Sequence, residues 1–258
     1  MAVRNARPGM LLDPGDPITK GLVGWWPMWE GAGGKCLDIS GKNNHGTLTN
    51  GPVWADGVKF DGTNDYVNAG GAGNFTNTDF SIVFSSYDIA NASSGQVYIY
   101  KGQFQANGWY IQKVPAAGIF KFVTNQSGAN QETSVPSSLF QLNVWNHTVV
   151  TRSGASVKIY LNGRDVTIAS ASHIDPASSS DNLQFGQYAT VSGSFSVNGF
   201  MKNGRLFSRA LSALEAEKLF LNPNAGLWVP DTKRYYLAAA GGGADVRKQV
   251  IQAYRRAA

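Results

Sequence analysis

The stretch VKIYLNGRDVTI, residues 157–168, decides the fold class. Val157, Ile159 and Leu161 alternate with Lys158 and Tyr160, the period-two pattern of a strand with one buried face. Asn162-Gly163 follows, a pair that accepts the two positive φ angles of a type I′ turn, whose twist suits antiparallel strands. The sequence therefore predicts a tight hairpin. Outward from it, β-branched and aromatic residues mark short strands at 22–29, 53–60, 80–87, 96–101, 109–114, 119–123, 145–151 and 156–161. Three more follow at 166–169, 183–187 and 194–207. Clusters of Gly, Asn, Ser and Pro, as at 70–74 and 178–182, separate them. Many short strands at near-regular spacing predict an all-β antiparallel sandwich or barrel.

Composition agrees with strands and turns. There are 30 glycines in 258 residues, and charged side chains are 15% of the chain against about 25% in an average domain. That length fits one domain with one large core. The single cysteine, Cys36, excludes an internal disulfide framework and a multi-cysteine zinc site. Trp25, Trp26 and Trp29 share one strand, with 25 and 29 on one face and 26 on the other, so at least one must be outward or under a loop. One helix stands out: Ser212 and Glu215 form a capping box, Leu211, Leu214, Leu219 and Phe220 line one side, and Pro223 ends the run. A short helix over 211–221 is expected on the sandwich edge.

The net charge of +5 lies at the ends. Residues 1–20 carry three basic and two acidic side chains, 231–258 carry six and two, and the span between carries thirteen of each. A domain that reads nucleic acid needs a basic stripe on its folded body, so no nucleic-acid partner is expected; basic ends suit docking on an acidic protein surface. The expected organisation is an N-terminal arm at 1–20, a body at 21–222, and a basic extension at 223–258. Within that extension, a Gly-rich hinge at 238–243 precedes a helix at 245–256. Val246, Val250, Ile251 and Tyr254 share one face of it, opposite Arg247, Lys248 and Arg255, with Arg256 beside them. Such a helix either docks in a partner's groove or packs on its own body. No secretory h-region is visible, and the longest apolar run, 21–29, falls far short of the ~20 residues of a spanning helix. Synthesis in the cytosol and no membrane contact are expected.

Catalytic signals are absent. His45, His147 and His173 have no Ser or Cys nucleophile at a known spacing, and no P-loop, GxGxxG or HExxH occurs. His147 reads as a half-buried, hydrogen-bonded strand residue. No enzyme activity is expected. Trp54, Trp109 and Tyr110 flank loops and are candidate glycan contacts, although such rings are first of all what fills a sandwich core.

Five segments in order resemble the laminin G-like and pentraxin-like branch of the concanavalin A-like lectin/glucanase superfamily. They are GLVGWWPMWEGAGGKCLDISGKNNHGTL (21–48), FDGTNDYV (60–67), FSIVF (80–84), WNHTVVTRSGASVKIYLNG (145–163) and SRALSALE (208–215). The resemblance implies a two-sheet jelly roll with its first and last strands side by side. Glycosidases of the superfamily carry a Glu-x-Asp-x-Glu strand, which this chain lacks; Asp61 and Asp65 lie in a turn. The resemblance also implies a structural calcium near Asp38, facing an acidic pair in the last strand. Lys202 and Asn203 stand at the pair's positions, and an ammonium repels a dication that needs carboxylates, so no cofactor is expected.

The opening GLVGWWPMWEG, the Trp228-Val229-Pro230 segment and the basic tail together resemble proteins encoded by tailed bacteriophages. That resemblance implies a structural protein of the virion surface, assembled in the host cytoplasm. It would be a capsid decoration protein with a lectin-like outer domain, or alternatively a tail adhesin contacting host polysaccharide. Its partners would be capsid or other virion proteins, further copies of itself, or polysaccharide.

Overall fold

The computed structural model describes residues 11–228 except 78, 93 and 189–194. The strands in chain order are β1 Leu11–Leu12, β2 Leu22–Trp26, β3 Lys35–Cys36, β4 Gly46–Thr49, β5 Val53–Ala55, β6 Gly57–Asp61, β7 Tyr66–Asn68, β8 Phe80–Asp88 and β9 Gln96–Gln103. They continue as β10 Asn107–Val114, β11 Ile119–Gln126, β12 Ala129–Pro136, β13 Trp145–Ser153, β14 Ser156–Leu161, β15 Arg164–Asp165, β16 Gln184–Phe185, β17 Asn198–Phe207 and β18 Leu227–Trp228. One α-helix, α1 Ala213–Leu221, lies among the described residues.

The hairpin forms where the sequence places it. Asn162 and Gly163 take φ 50° and 80°, and Leu161 pairs with Arg164 across the turn. Asn162 also binds the neighbouring strand: its N–H donates to the His147 carbonyl (2.8 Å) and its Oδ1 accepts from the His147 N–H (2.9 Å).

Two antiparallel sheets make the sandwich. The first runs β12-β11-β10-β9-β16-β7-β4-β3, and the second β15-β14-β13-β8-β17-β6-β5, with β2 also paired to β17. First and last jelly-roll strands therefore lie side by side, Trp25 opposite Arg205 and Trp26 opposite Gly204. Large side chains including Trp26, Phe60, Phe80, Tyr98, Trp109, Phe120 and Phe122 fill the space between the sheets.

A second, smaller core lies on the outer face of the second sheet. Trp25, Val83, Val149, Tyr160 and Phe207 point there, under Ile18, Leu211, Ala216, Leu219 and Ala225. Trp25 and Trp26, adjacent on one strand, are thus both fully buried on opposite faces. The helix begins with the expected capping box and lies by the edge strand β15 as expected, with Ala216 and Leu219 reaching into this core. Its buried side differs from expectation: Ala216 and Leu219 point inward, whereas Leu214 is 77% exposed, because at about 100° per residue it lies roughly opposite Ala216.

Other expected strands are corrected too. Residues 53–60 form a hairpin, β5 and β6, turning at Gly57 with φ 108°; a Cβ there would collide with the Met201 carbonyl. After Arg164–Asp165 the ladder ends, so 166–169 is not a strand. Strand β12 was not expected, because ANQETSVP is polar; it is the edge of the first sheet, where one side has no partner and half the side chains meet water.

A buried ionic clip ties the two sheets. Lys113 Nζ on β10 lies 2.9 Å from Asp88 Oδ2 on β8 and donates to the Phe140 carbonyl (2.9 Å). The Tyr98 hydroxyl on β9 donates to the same carboxylate oxygen (2.7 Å). Burial and the neighbouring Asp88 charge both push the Tyr98 phenol well above its usual pKa, so it stays a donor. Removing one partner of such a pair strands a charge in the interior. Lys113→Met is expected to cost about 3–5 kcal/mol in urea unfolding, and the combined Lys113→Met, Asp88→Leu, Tyr98→Phe variant to recover most of it. A single-variant loss under about 1 kcal/mol would show that the clip carries no such weight.

Candidate functional site

Helix α1 and the segments around it cover only part of the second sheet's outer face. Beside them lies a cavity of about 360 Å³, walled by residues 27–29, the β5–β6 turn, β8, β13, β17 and residues 220–224. Its position follows from the pairing of β17. One edge of β17 bonds to β8 at 199–202 and again at 205–207, while the other bonds to β6 at 198–201 and to β2 at 204–207. Between those partners the register against β8 shifts, and Asn203 takes φ 56°. Such a bulge bends the strand and re-aims side chains. Here Lys202 and Asn203 line the cavity.

Lys202 Nζ lies 2.9 Å from both carboxylate oxygens of Asp56 and 3.7 Å from the centroid of the Trp145 ring. Asp56 is the carboxylate of the lining. His147 also lines it, 6% exposed, and its Nδ1 has no hydrogen-bond partner. The ring is thus more buried and less satisfied than its sequence suggested. Burial first, and then the Arg205 charge, lower its pKa to about 3, so the imidazole is neutral at physiological pH. Arg205 itself lies beneath the cavity wall, stacked 3.5 Å from the Trp25 ring and donating to the carbonyls of Ala225 (3.0 Å) and Pro223. Trp145 continues outward into an aromatic shelf, with Tyr87 at 5.7 Å and Phe200 a further 5.6 Å from Tyr87; all three are half-buried.

The glycan candidates taken from the sequence do not converge. Trp109 is fully buried beside Phe75 and Phe80, with Nε1 donating to the Gly73 carbonyl (2.8 Å). It is a core residue with no face for a sugar. Tyr110 points to the outer face of the first sheet, buried with Val97, Tyr100 and Val123 and packed near Tyr188. Trp54 is half-buried, its Nε1 donating to the Gly33 carbonyl (2.7 Å). The docking candidates Val246, Arg247, Lys248, Val250, Ile251, Tyr254, Arg255 and Arg256 lie outside the described residues.

Asp38 is held by backbone. Its Oδ1 accepts from the N–H groups of Trp25 and Ser40, and its Oδ2 from that of Asn44, each at 2.9 Å. Lys202 meanwhile turns to Asp56. No cluster of three or more His, Cys, Asp or Glu side chains that could hold a metal occurs among the described residues. The other histidines are structural. His45 Nδ1 accepts from the Asp38 N–H (3.0 Å). His173 bridges the hydroxyls of Thr124 (2.9 Å) and Thr133 (2.8 Å), and burial lowers its pKa to about 4. Asp61 and Asp65 accept turn N–H groups, from Thr63 (2.7 Å) and Asp61 (3.0 Å) respectively.

Solved structures with the same fold include the binding domain of Paraclostridial Mosquitocidal Protein 1, 18% identical with a TM-score of 0.58, covering 79% of this chain and 52% of that one. A botulinum neurotoxin serotype D ligand-binding domain in complex with N-acetylneuraminic acid is 14% identical, TM-score 0.55, covering 79% and 51%. A Trypanosoma rangeli sialidase is 14% identical, TM-score 0.58, covering 78% and 33%. This chain spans about half the length of the toxin structures, and at these identities the likeness is one of fold. No curated protein matches the sequence. No helix among the described residues is long and apolar enough to cross a membrane. A family model matches residues 61–217, more than half of the chain, and the chain belongs to the concanavalin A-like lectin/glucanases superfamily.

Proposed function

We propose that the domain is a non-catalytic carbohydrate-binding module that takes a sugar in the cavity beside Trp145. The observation that carries this reading is the pair of indoles, Trp29 and Trp145, that line one cavity together with Asp56, Lys202, Asn203 and His147. A sugar ring offers an apolar C–H face for an aromatic wall and hydroxyls for directional polar groups, which is what this lining supplies. The toxin binding domains of like fold, one solved with N-acetylneuraminic acid, are in keeping with it. Glycoside hydrolysis commonly needs two carboxylates flanking the bond, whereas among the described residues Asp56 is the cavity's one acid, and it is paired with Lys202. In a glycan array, Trp145→Ala is expected to weaken binding at least tenfold. Trp109→Ala instead lowers stability by about 3–5 kcal/mol as a core truncation. Unchanged glycan binding by Trp145→Ala would remove the cavity as the site.

The domain is also proposed to fold without structural calcium, since backbone N–H groups satisfy Asp38. A metal bound only to the native state would raise the melting temperature by mass action. Adding a chelator is therefore expected to leave the melting temperature unchanged, and a fall of several degrees would refute this.

A second reading places the module on the surface of a bacteriophage virion, as capsid decoration or a tail adhesin, anchored by its ends. The partition of charge supports it, with a neutral body and all five net positive charges in 1–20 and 231–258. A chain ending at Trp228 should then stay folded but no longer sediment with purified particles, and full-length binding should weaken with salt. If the shortened chain still loads particles fully, the C-terminal tail is not the anchor.

A further inference from the structure

We propose that the cavity selects the neutral end of an oligosaccharide over an acid-capped one, while the Tyr87, Trp145 and Phe200 shelf carries the sugars that follow. This rests on the carbohydrate reading and says which carbohydrate. The cavity lining holds one acid, Asp56, and one full cation, Lys202. The ammonium already has partners: two of its contacts go to the oxygens of Asp56, itself 55% exposed, at 2.9 Å, and it sits 3.7 Å from the Trp145 ring. An incoming carboxylate would have to displace Asp56 or lose its hydration without a counter-charge, and burying an unpaired charge is costly. Arg205 lies outside the lining, where it stacks on Trp25 and donates to the carbonyls of Ala225 and Pro223; Lys59 stands 6.0 Å from the Phe200 ring, on the shelf and not in the cavity lining. His147 is neutral and adds no charge.

Size points to a chain end. About 360 Å³ is at the small end of the roughly 300–1,000 Å³ usual for ligand pockets, room for about one or two sugar rings. Pro27, Met28 and Trp29, with Phe220 of α1 and the following Pro223 and Asn224, complete the lining. Trp145 is shared between the cavity lining and the aromatic cluster, so a longer glycan leaves along Tyr87 and Phe200. Each further ring that stacks there adds affinity.

The test uses the full-length protein. Its array carries galactose-, glucose- and N-acetylglucosamine-terminated oligosaccharides of one to four residues, with the galactose-terminated members also capped by N-acetylneuraminic acid. Neutral ends are expected to bind, capping to weaken them at least tenfold, and extension from one to three residues to strengthen them about tenfold. Phe200→Ala should abolish that gain with length. Asp56→Asn releases the ammonium, and the ratio of capped to neutral affinity should rise about tenfold, a gain that misfolding cannot produce. Capped glycans binding as well as or better than neutral ones, or a ratio unmoved by Asp56→Asn, would overturn the charge argument; no gain with length would overturn the shelf. If no glycan on the array binds, the carbohydrate reading itself falls and this inference with it.

Discussion

Strand β17 has one edge to share between two partners, and most of what is particular to this domain follows from how it does so. Its first half bonds to β6 and its second half to β2, two strands from distant parts of the chain that meet end to end along it. Neither can cover the junction. The strand answers with a bulge at Lys202–Asn203, and the side chains on either side of that bulge face different tasks. Beyond it, Arg205 and Phe207 close the second core against Trp25 and the residues under α1. At it, Lys202 and Asn203 are left lining a cavity that no element fills.

The second core explains why a strand can carry Trp25 and Trp26 in succession. A sheet face covered only by water would expose one of them, and burying such a ring contributes a few kcal/mol. Here residues 11–20 and 225–227 fold back over that face, with Ile18 and Ala225 buried beside Trp25. Arg205 then secures the return, since its guanidinium is flat enough to stack on indole while donating to two backbone carbonyls. A lysine could not do both.

How far the sequence could be read depended on how far apart the deciding residues were. The Asn162-Gly163 turn and the Ser212 capping box are local, and both form as expected. Strand β12 carries no period-two signal because an edge strand is allowed to be polar, and the inward side of α1 is not legible in its leucines because the small Ala216 packs there beside Leu219. The cavity was hidden for another reason. Its lining comes from 27–29, 56, 145–147, 202–203 and 224, brought together only by strand pairing across more than a hundred residues. The one local clue was that Lys202 and Asn203 stand where an acidic pair was looked for; it spoke against calcium, but nothing in the sequence linked Lys202 to Asp56 or Trp145. Trp109, the more conspicuous aromatic, turned out to be core.

The two buried histidines give the molecule a directional response to acid. Folded, His173 holds its proton only below about pH 4 and His147 below about 3, while in the unfolded chain each titrates near 6.5. As pH falls from 6.5 the unfolded chain therefore takes up protons first, and stability that is complete above that value drains away toward the folded values. The two sites are not equivalent in what they release. His173 bridges β11 to β12 through two threonine hydroxyls, so its protonation loosens the outer edge of the first sheet. His147 is tied through its backbone to the Asn162 turn, so its protonation reaches the cavity and the hairpin together. Acidification therefore lowers the stability of the fold through two histidines, one on the second sheet and one against the first.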